Sequence, residues 1–173
     1  QRAETCTLTR QSRATRPHHT PGPTLAQVRV VLLVPMAVEA RPLRRALGNR
    51  IEIIRIGVGP ASASEVTSRA LTELSPDHVI VAGIAGGVGR HLSVGDLVIP
   101  STVVDDATGA TYRSHPLTGL DSGGSLVTVD RLHDHRSLTG RHPGIDAVDM
   151  ESAATAACCA AAGVPWTVVR GIS

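Results

Sequence analysis

Apolar positions in this chain fall into short, nearly unbroken runs, separated by longer stretches with a three- to four-residue period. Val28 to Val34 is such a run, the mark of a strand buried on both faces, and Pro35 ends it. Ala37 to Leu47 then reads as a helix, with Val38, Leu43, Ala46 and Leu47 on one face and Pro42 in its first turns. Ile51 to Ile56 predicts the next strand, closed by Gly57-Val58-Gly59-Pro60, and Ala61 to Leu74 a second amphipathic helix. His78 to Ala82 predicts a third buried strand, which runs into the most glycine-dense stretch, Gly83 to Gly89. Leu97 to Val104 and Ser125 to Val129 predict two more strands, with residues 105–124 as a long surface loop between them. Residues 130–144 show no convincing apolar face. The apolar run Ile145 to Val148 leads into Asp149-Met150-Glu151 and an alanine-rich helix through Ala162; Gly163 and Pro165 stop it, and Trp166 to Val169 closes as a buried strand.

Buried strands alternating with helices imply an α/β protein, a three-layer sandwich with a mixed central sheet. Residues 28–173 are expected to form one domain. Residues 1–27 are rich in Thr, Arg, Pro, His and Gln without apolar periodicity, and predict a disordered extension, either a transit peptide or another non-structural leader.

Composition then narrows the chemistry. All 17 basic residues are Arg, which excludes a Walker A lysine, a Schiff-base lysine and a pyridoxal anchor. There is no Phe, one Tyr and one Trp, so the core is aliphatic and stacking platforms for single-stranded nucleic acid are lacking. The net charge of +2 is local: residues 1–27 hold four Arg and one Glu, leaving 13 Arg against 14 acids, or −1, in the remainder. That balance predicts no nucleic-acid partner. No apolar run approaches the ~20 residues of a bilayer span, so no membrane partner is expected. Cys6, Cys158 and Cys159 are an odd number, two of them adjacent, which suggests a reducing cytoplasm rather than a disulfide framework.

Several motifs could carry chemistry. Gly57-Val58-Gly59-Pro60-Ala61-Ser62 is a near miss to G-x-G-x-x-G, with Ser in the third glycine position. The dinucleotide reading needs an acid at the end of the next strand, and that strand ends in Val81-Ala82-Gly83. Successive glycines from Gly83 to Gly87 let backbone approach a ligand closely. His133-Asp134-His135 with His142 fits no closed zinc pattern, so neither metal nor cofactor is expected. Two acids at a helix mouth, at the carboxyl end of a strand, stand where an α/β sheet presents chemistry. No packing reason demands Asp149, Met150 and Glu151 together.

The runs V-P-M-A-V-E-A, A-G-I-A-G-G-V, V-D-M-E-S-A-A and G-V-P-W-T-V-V-R-G-I-S, in this order along the chain, resemble the nucleoside phosphorylase and nucleosidase superfamily. The branch is that of the methylthioadenosine/S-adenosylhomocysteine nucleosidases. The resemblance covers residues 28–173 and implies a phosphorylase/hydrolase-like fold. It implies that Glu151 accepts hydrogen bonds from ribose hydroxyls while Met150 packs on the sugar. It places Ile84, Ala85 and Gly86 along the nucleoside, with Ile84 where the nucleosidases usually have Ser. It makes Glu39, three residues after Met36, the group that activates the attacking water, and puts Arg170 and Ser173 in support. Val81 occupies the position of a phosphate-binding Arg in the hexameric phosphorylases, which favours water as the acceptor. The family's aspartate that protonates the leaving base would follow Ser173, where the sequence ends, so the domain reads as truncated at its C-terminus.

The expected function is therefore hydrolysis of the N-glycosidic bond of a purine or related nucleoside, by a cytoplasmic homo-oligomer, a dimer, whose partner is the small-molecule nucleoside. Two alternatives stand beside it. One is phosphate-dependent cleavage. The other is a non-catalytic nucleoside-binding protein or fragment.

Overall fold

A computed structural model describes residues 28–131 and 135–173. The extension predicted over residues 1–27 lies outside them, as do His133 and Asp134 of the histidine cluster. The chain runs β1 (Val30–Val34), α1 (Ala37–Leu47), β2 (Glu52–Arg55), α2 (Pro60–Leu74), β3 (His78–Gly87), β4 (Leu97–Val98), β5 (Thr102–Asp105), β6 (Thr111–Arg113), β7 (Ser125–Thr128), α3 (His135–Arg141), β8 (Ala147–Asp149), α4 (Ser152–Ala162) and β9 (Trp166–Ile172).

The strands form one mixed sheet, hinged on β3. The first part of β3 pairs in parallel with β1, which continues to β2. On its other side β3 pairs in parallel with β9 from Val79–Trp166 to Ala85–Ile172. Its last residues, Gly86 and Gly87, turn to pair antiparallel with β8, which continues through β7 to β5 in parallel and on to antiparallel β6. The glycine-dense stretch is thus largely strand. The backbone passes close to its neighbours there: a Cβ at Gly87 would stand 2.8 Å from Ile172 Cγ2, close enough to force a shift, and one at Gly86 3.1 Å from Val148 Cγ1.

Side chains alternate between the two faces of the sheet. Val31, Leu33, Val79, Val81, Leu126 and Val168 point to one face, against α2 and α4. Small residues let these two helices lie close: Ala63, Thr67 and Ala70 of α2 meet Thr155, Ala156 and Cys159 of α4, with Thr67 and Thr155 hydroxyls 3.3 Å apart. Leu32, Val34, Ile53 and Ala82 point to the other face, against α1. Val127 and Val148 meet Leu138 of α3. The expected three layers are present.

Four sequence expectations need correction. The buried face of α1 is Glu39 and Ala40 with Leu43 and Leu47, while Val38 is 67% exposed. The run Leu97 to Val104 is two strands, broken at Ile99-Pro100-Ser101, since Pro cannot donate to a ladder. The loop 105–124 contains β6, and residues 130–144 contain α3, whose buried anchor is Leu138. Cys159 is a core residue whose thiol is pushed up to about 12 by burial, with Cys158 adding to it, whereas Cys158 is half-buried beside Ser64 and Ser68. Among the described residues no helix is long and apolar enough to cross a membrane.

Asp106, just past β5, clamps α3. It accepts two bonds from the Arg141 guanidinium, at 3.1 and 3.0 Å, and one from His142 Nε2 at 2.6 Å. The His142 bond first, then Arg141, hold its carboxyl below the ordinary value, against burial. A depressed folded pKa stabilises above the unfolded value of 3.8, and that contribution fades as pH falls through the folded value. Asp106→Asn should therefore lower the unfolding free energy by about 1–3 kcal/mol at neutral pH. The deficit should shrink in acid; coincident denaturant curves at neutral pH would show that the clamp contributes nothing.

Candidate active site

Parallel strands end together, and the elements that follow them surround a cavity of roughly 370 Å³. Its walls come from five places: Pro35, Met36 and Glu39 after β1, Val58 after β2, Ile84 to Gly86 in β3, Val148 to Glu151 at the end of β8, and Ser173 after β9. Eight of the nine residues singled out in the sequence, Met36, Glu39, Ile84, Ala85, Gly86, Met150, Glu151 and Ser173, line this one space. The ninth, Arg170, lies behind it.

Glu39 sits at the third position of α1, from which its side chain reaches back to the helix mouth. Oε2 accepts from the Met36 amide at 2.7 Å, and Oε1 accepts from the Ile84 amide at 2.8 Å. At 8% exposure it is not the solvated helix-face acid that a helix start alone would suggest. A carboxylate has about four lone-pair sites, so two backbone bonds fix its orientation and leave acceptor capacity. Ile84 contributes through that amide, and its side chain is exposed. The Ser173 amide donates to the Ala85 carbonyl at 3.1 Å, which holds the end of β9 at the cavity.

Behind the wall lies a buried polar network. Arg170 is fully buried, and its Nη2 donates to Asp149 Oδ2 and, at 3.1 Å, to Ser152 Oγ; Glu151 Oε2 stands 3.6 Å away. Asp149 also accepts from Thr128 Oγ1 at 2.7 Å and from the Ser152 amide and hydroxyl, and Thr128 Oγ1 accepts from the Ala153 amide at 2.9 Å. Asp149 thus has a structural purpose: it holds Ser152, the first residue of α4, and neutralises Arg170. Among the described residues, Arg170 Nε and Nη1 have no hydrogen-bond partner. Arg170 pairs with Gly83 across the β3–β9 ladder, where a Cβ would overlap Nη1 and stand 2.6 Å from Glu39 Oε1. Glycine at 83 is what lets the guanidinium and the Glu39 carboxylate converge.

Glu151 Oε1 accepts from the Gly59 amide at 3.0 Å. Burial pushes its carboxyl above the ordinary value and Asp149 adds to that, while the Gly59 amide, Arg170 and the Met150 amide pull it down. In the near-miss fingerprint, the Gly59 amide is taken by a carboxylate of this chain. Val81 is fully buried in the core. Sequence reasoning missed Ser152 and Thr128, and it singled out the turn of Val58 and Gly59 without assigning either residue a role. Among the described residues no group of three or more His, Cys, Asp or Glu could hold a metal ion.

The sequence profile of the Phosphorylase superfamily matches residues 43–139. The 5'-methylthioadenosine/S-adenosylhomocysteine nucleosidase of Actinobacillus succinogenes is 33% identical over 160 residues, which cover 73% of this chain and 68% of that protein. The enzyme of the same name from Marinomonas sp. (strain MWYL1) is 29% identical over 158 residues, with 73% and 68% covered. The fold matches that of the Neisseria meningitidis nucleosidase solved with methylthio-immucillin-A, with a TM-score of 0.76 at 24% identity, covering 85% of this chain and 86% of that one. The Streptococcus pyogenes S-adenosylhomocysteine nucleosidase solved with 5-methylthiotubericidin gives a TM-score of 0.77 at 21% identity, covering 86% and 84%.

Two substitutions probe the network in opposite senses. Asp149→Ala strands the Arg170 guanidinium and should cost about 3–5 kcal/mol. Glu151→Gln removes a carboxyl whose folded pKa is raised. Its stabilisation is full below the unfolded value of 4.5 and is lost as pH rises through the folded value. The variant should therefore gain on the wild type as pH rises through that window. Thermal melts across pH read the difference, and a constant offset would rule out burial as the cause.

Proposed function

This chain belongs to the Phosphorylase superfamily, and from that premise we propose that it is a nucleosidase that hydrolyses the N-glycosidic bond of a purine nucleoside. The names of its relatives make 5'-substituted adenosines, methylthioadenosine and S-adenosylhomocysteine, the first substrates to test.

The observation that carries water as the acceptor is the charge of the cavity. Glu39, Asp149 and Glu151 stand on its wall, and the guanidinium behind them is bound to Asp149. A phosphate dianion brought there would face the Glu39 and Glu151 carboxylates, while a neutral water faces an acceptor that it can use. Glu151 takes the ribose hydroxyls as donors, and Met150 packs on the sugar. Glu39 accepts a proton as the water oxygen bonds to the anomeric carbon. As the C–N bond breaks, the base leaves with the electron pair and takes a proton. In the family that proton comes from the aspartate after the R-x-I-S run, beside Ser173 at the cavity.

We place the protein in the cytoplasm, in keeping with its two described cysteines, which are both free. A homo-oligomer, a dimer, belongs to the same reading, supported by exposed Ile84 and Leu97 on an apolar groove beside the cavity.

The protein should release adenine from methylthioadenosine without added phosphate. Glu39→Gln should lower that release by about 10²–10⁴ while leaving nucleoside affinity largely intact. Unchanged turnover in the variant would remove Glu39 from the mechanism. A strict requirement for phosphate, with a sugar 1-phosphate as product, would make the protein a phosphorylase. Affinity without base release would make it a binding protein.

A further inference from the structure

We propose that the turn Gly57–Ser62 is a positioning device for Glu151, with the Gly59 amide as the group that holds the carboxylate in place. The inference rests on the reading of Glu151 as the ribose-binding group. It gives a role to a motif that neither a dinucleotide nor the hydrolysis itself explains.

The contact joins residues 92 positions apart: Gly59 N–H donates to Glu151 Oε1 at 3.0 Å, at the mouth of α2. The next residue, Pro60, has no N–H, so the glycine amide is the one presented at that point. Gly59 has φ +90° and ψ 161°, a region essentially closed to other residues, yet a Cβ there would meet nothing within 4 Å. Its need for glycine is therefore one of backbone direction, not of space. The turn is braced from within. Ser62 Oγ donates to the Ile56 carbonyl at 2.6 Å, and a Cβ on Gly57, at φ +79°, would overlap that hydroxyl. The same turn carries Val58 into the cavity wall. With Oε1 on Gly59 and Oε2 beside Arg170, both carboxylate oxygens are placed before any sugar arrives.

The charge around Glu151 gives a readout that folding alone would not move. Asp149 at the end of β8 opposes its ionisation, and Glu39 of α1 lines the same cavity. Arg170 of β9 and the Gly59 amide favour ionisation, and the first turn of α2 carries no acid. Loss of the amide bond leaves the carboxyl harder to ionise.

The test compares the full chain with Gly59→Ala, Ser62→Ala and Glu151→Ala, using binding of methylthioadenosine and of free adenine as probes. Gly59→Ala should weaken methylthioadenosine binding about tenfold and leave adenine binding unchanged. The acid limb of its nucleoside-binding pH profile should move to higher pH. Ser62→Ala should shift both readouts in the same direction, less strongly, and it decides the matter if Gly59→Ala does not fold. Equal losses for adenine and nucleoside, or an unmoved acid limb, would overturn the proposal. If Glu151→Ala itself spares the nucleoside, the reading of Glu151 fails. If Glu151→Ala weakens nucleoside binding and neither turn variant does, only the positioning role falls.

Discussion

A fully buried guanidinium is the constraint to which the rest of this structure conforms. Arg170 has no exposed surface, and an isolated charge in such a place would cost several kcal/mol. Asp149 offsets that charge, and Ser152 adds a hydroxyl. Asp149 is itself held by Thr128 and by the first turn of α4. One network therefore ties β7, β8, α4 and β9 together at the end of the sheet where the cavity opens. The alanines of α4 serve the same end, since a helix of small residues can bring its N-terminus close to this network.

The glycines of β3 follow from this. Gly83 leaves room for the Arg170 head and the Glu39 carboxylate, and Gly86 and Gly87 let the strand pass against Val148 and Ile172 as it changes partners. Packing and chemistry thus ask for the same residue at the same positions. Glu39 and Glu151 are each held by backbone amides, the first from Met36 and Ile84, the second from Gly59. Amides donate without bringing a counter-charge, so the carboxylates are oriented while the cavity keeps its acidic character.

Much of this was written in the sequence, for local reasons. Unbroken apolar runs marked β1 and the start of β3, and alanine followed by Gly163 and Pro165 marked the end of α4. The bounds of α1 were legible because Pro35 and Gly48 punctuate it. The residues Met36, Glu39, Ile84 to Gly86, Met150 and Glu151 stood out as ordered motifs, and they do line one cavity. What failed also failed for physical reasons. Val38 and Leu43 both look apolar, and only the placement of α1 on the sheet decides which is covered. β6 and α3 carry weak patterns because one is a short edge strand and the other is held by a clamp from Asp106. The partners of Arg170, the Gly59 amide that holds Glu151 and the Thr128 hydroxyl that holds Asp149 lie 18 to 92 positions away, beyond any periodicity. The chain by itself determined which residues carry charge, which runs must be buried and where the backbone can turn, since these depend on neighbours in sequence. The tertiary structure alone decided that Asp149 neutralises Arg170 and that the glycine turn after β2 faces Glu151, because burial and hydrogen bonding across the sheet arise only once distant segments meet.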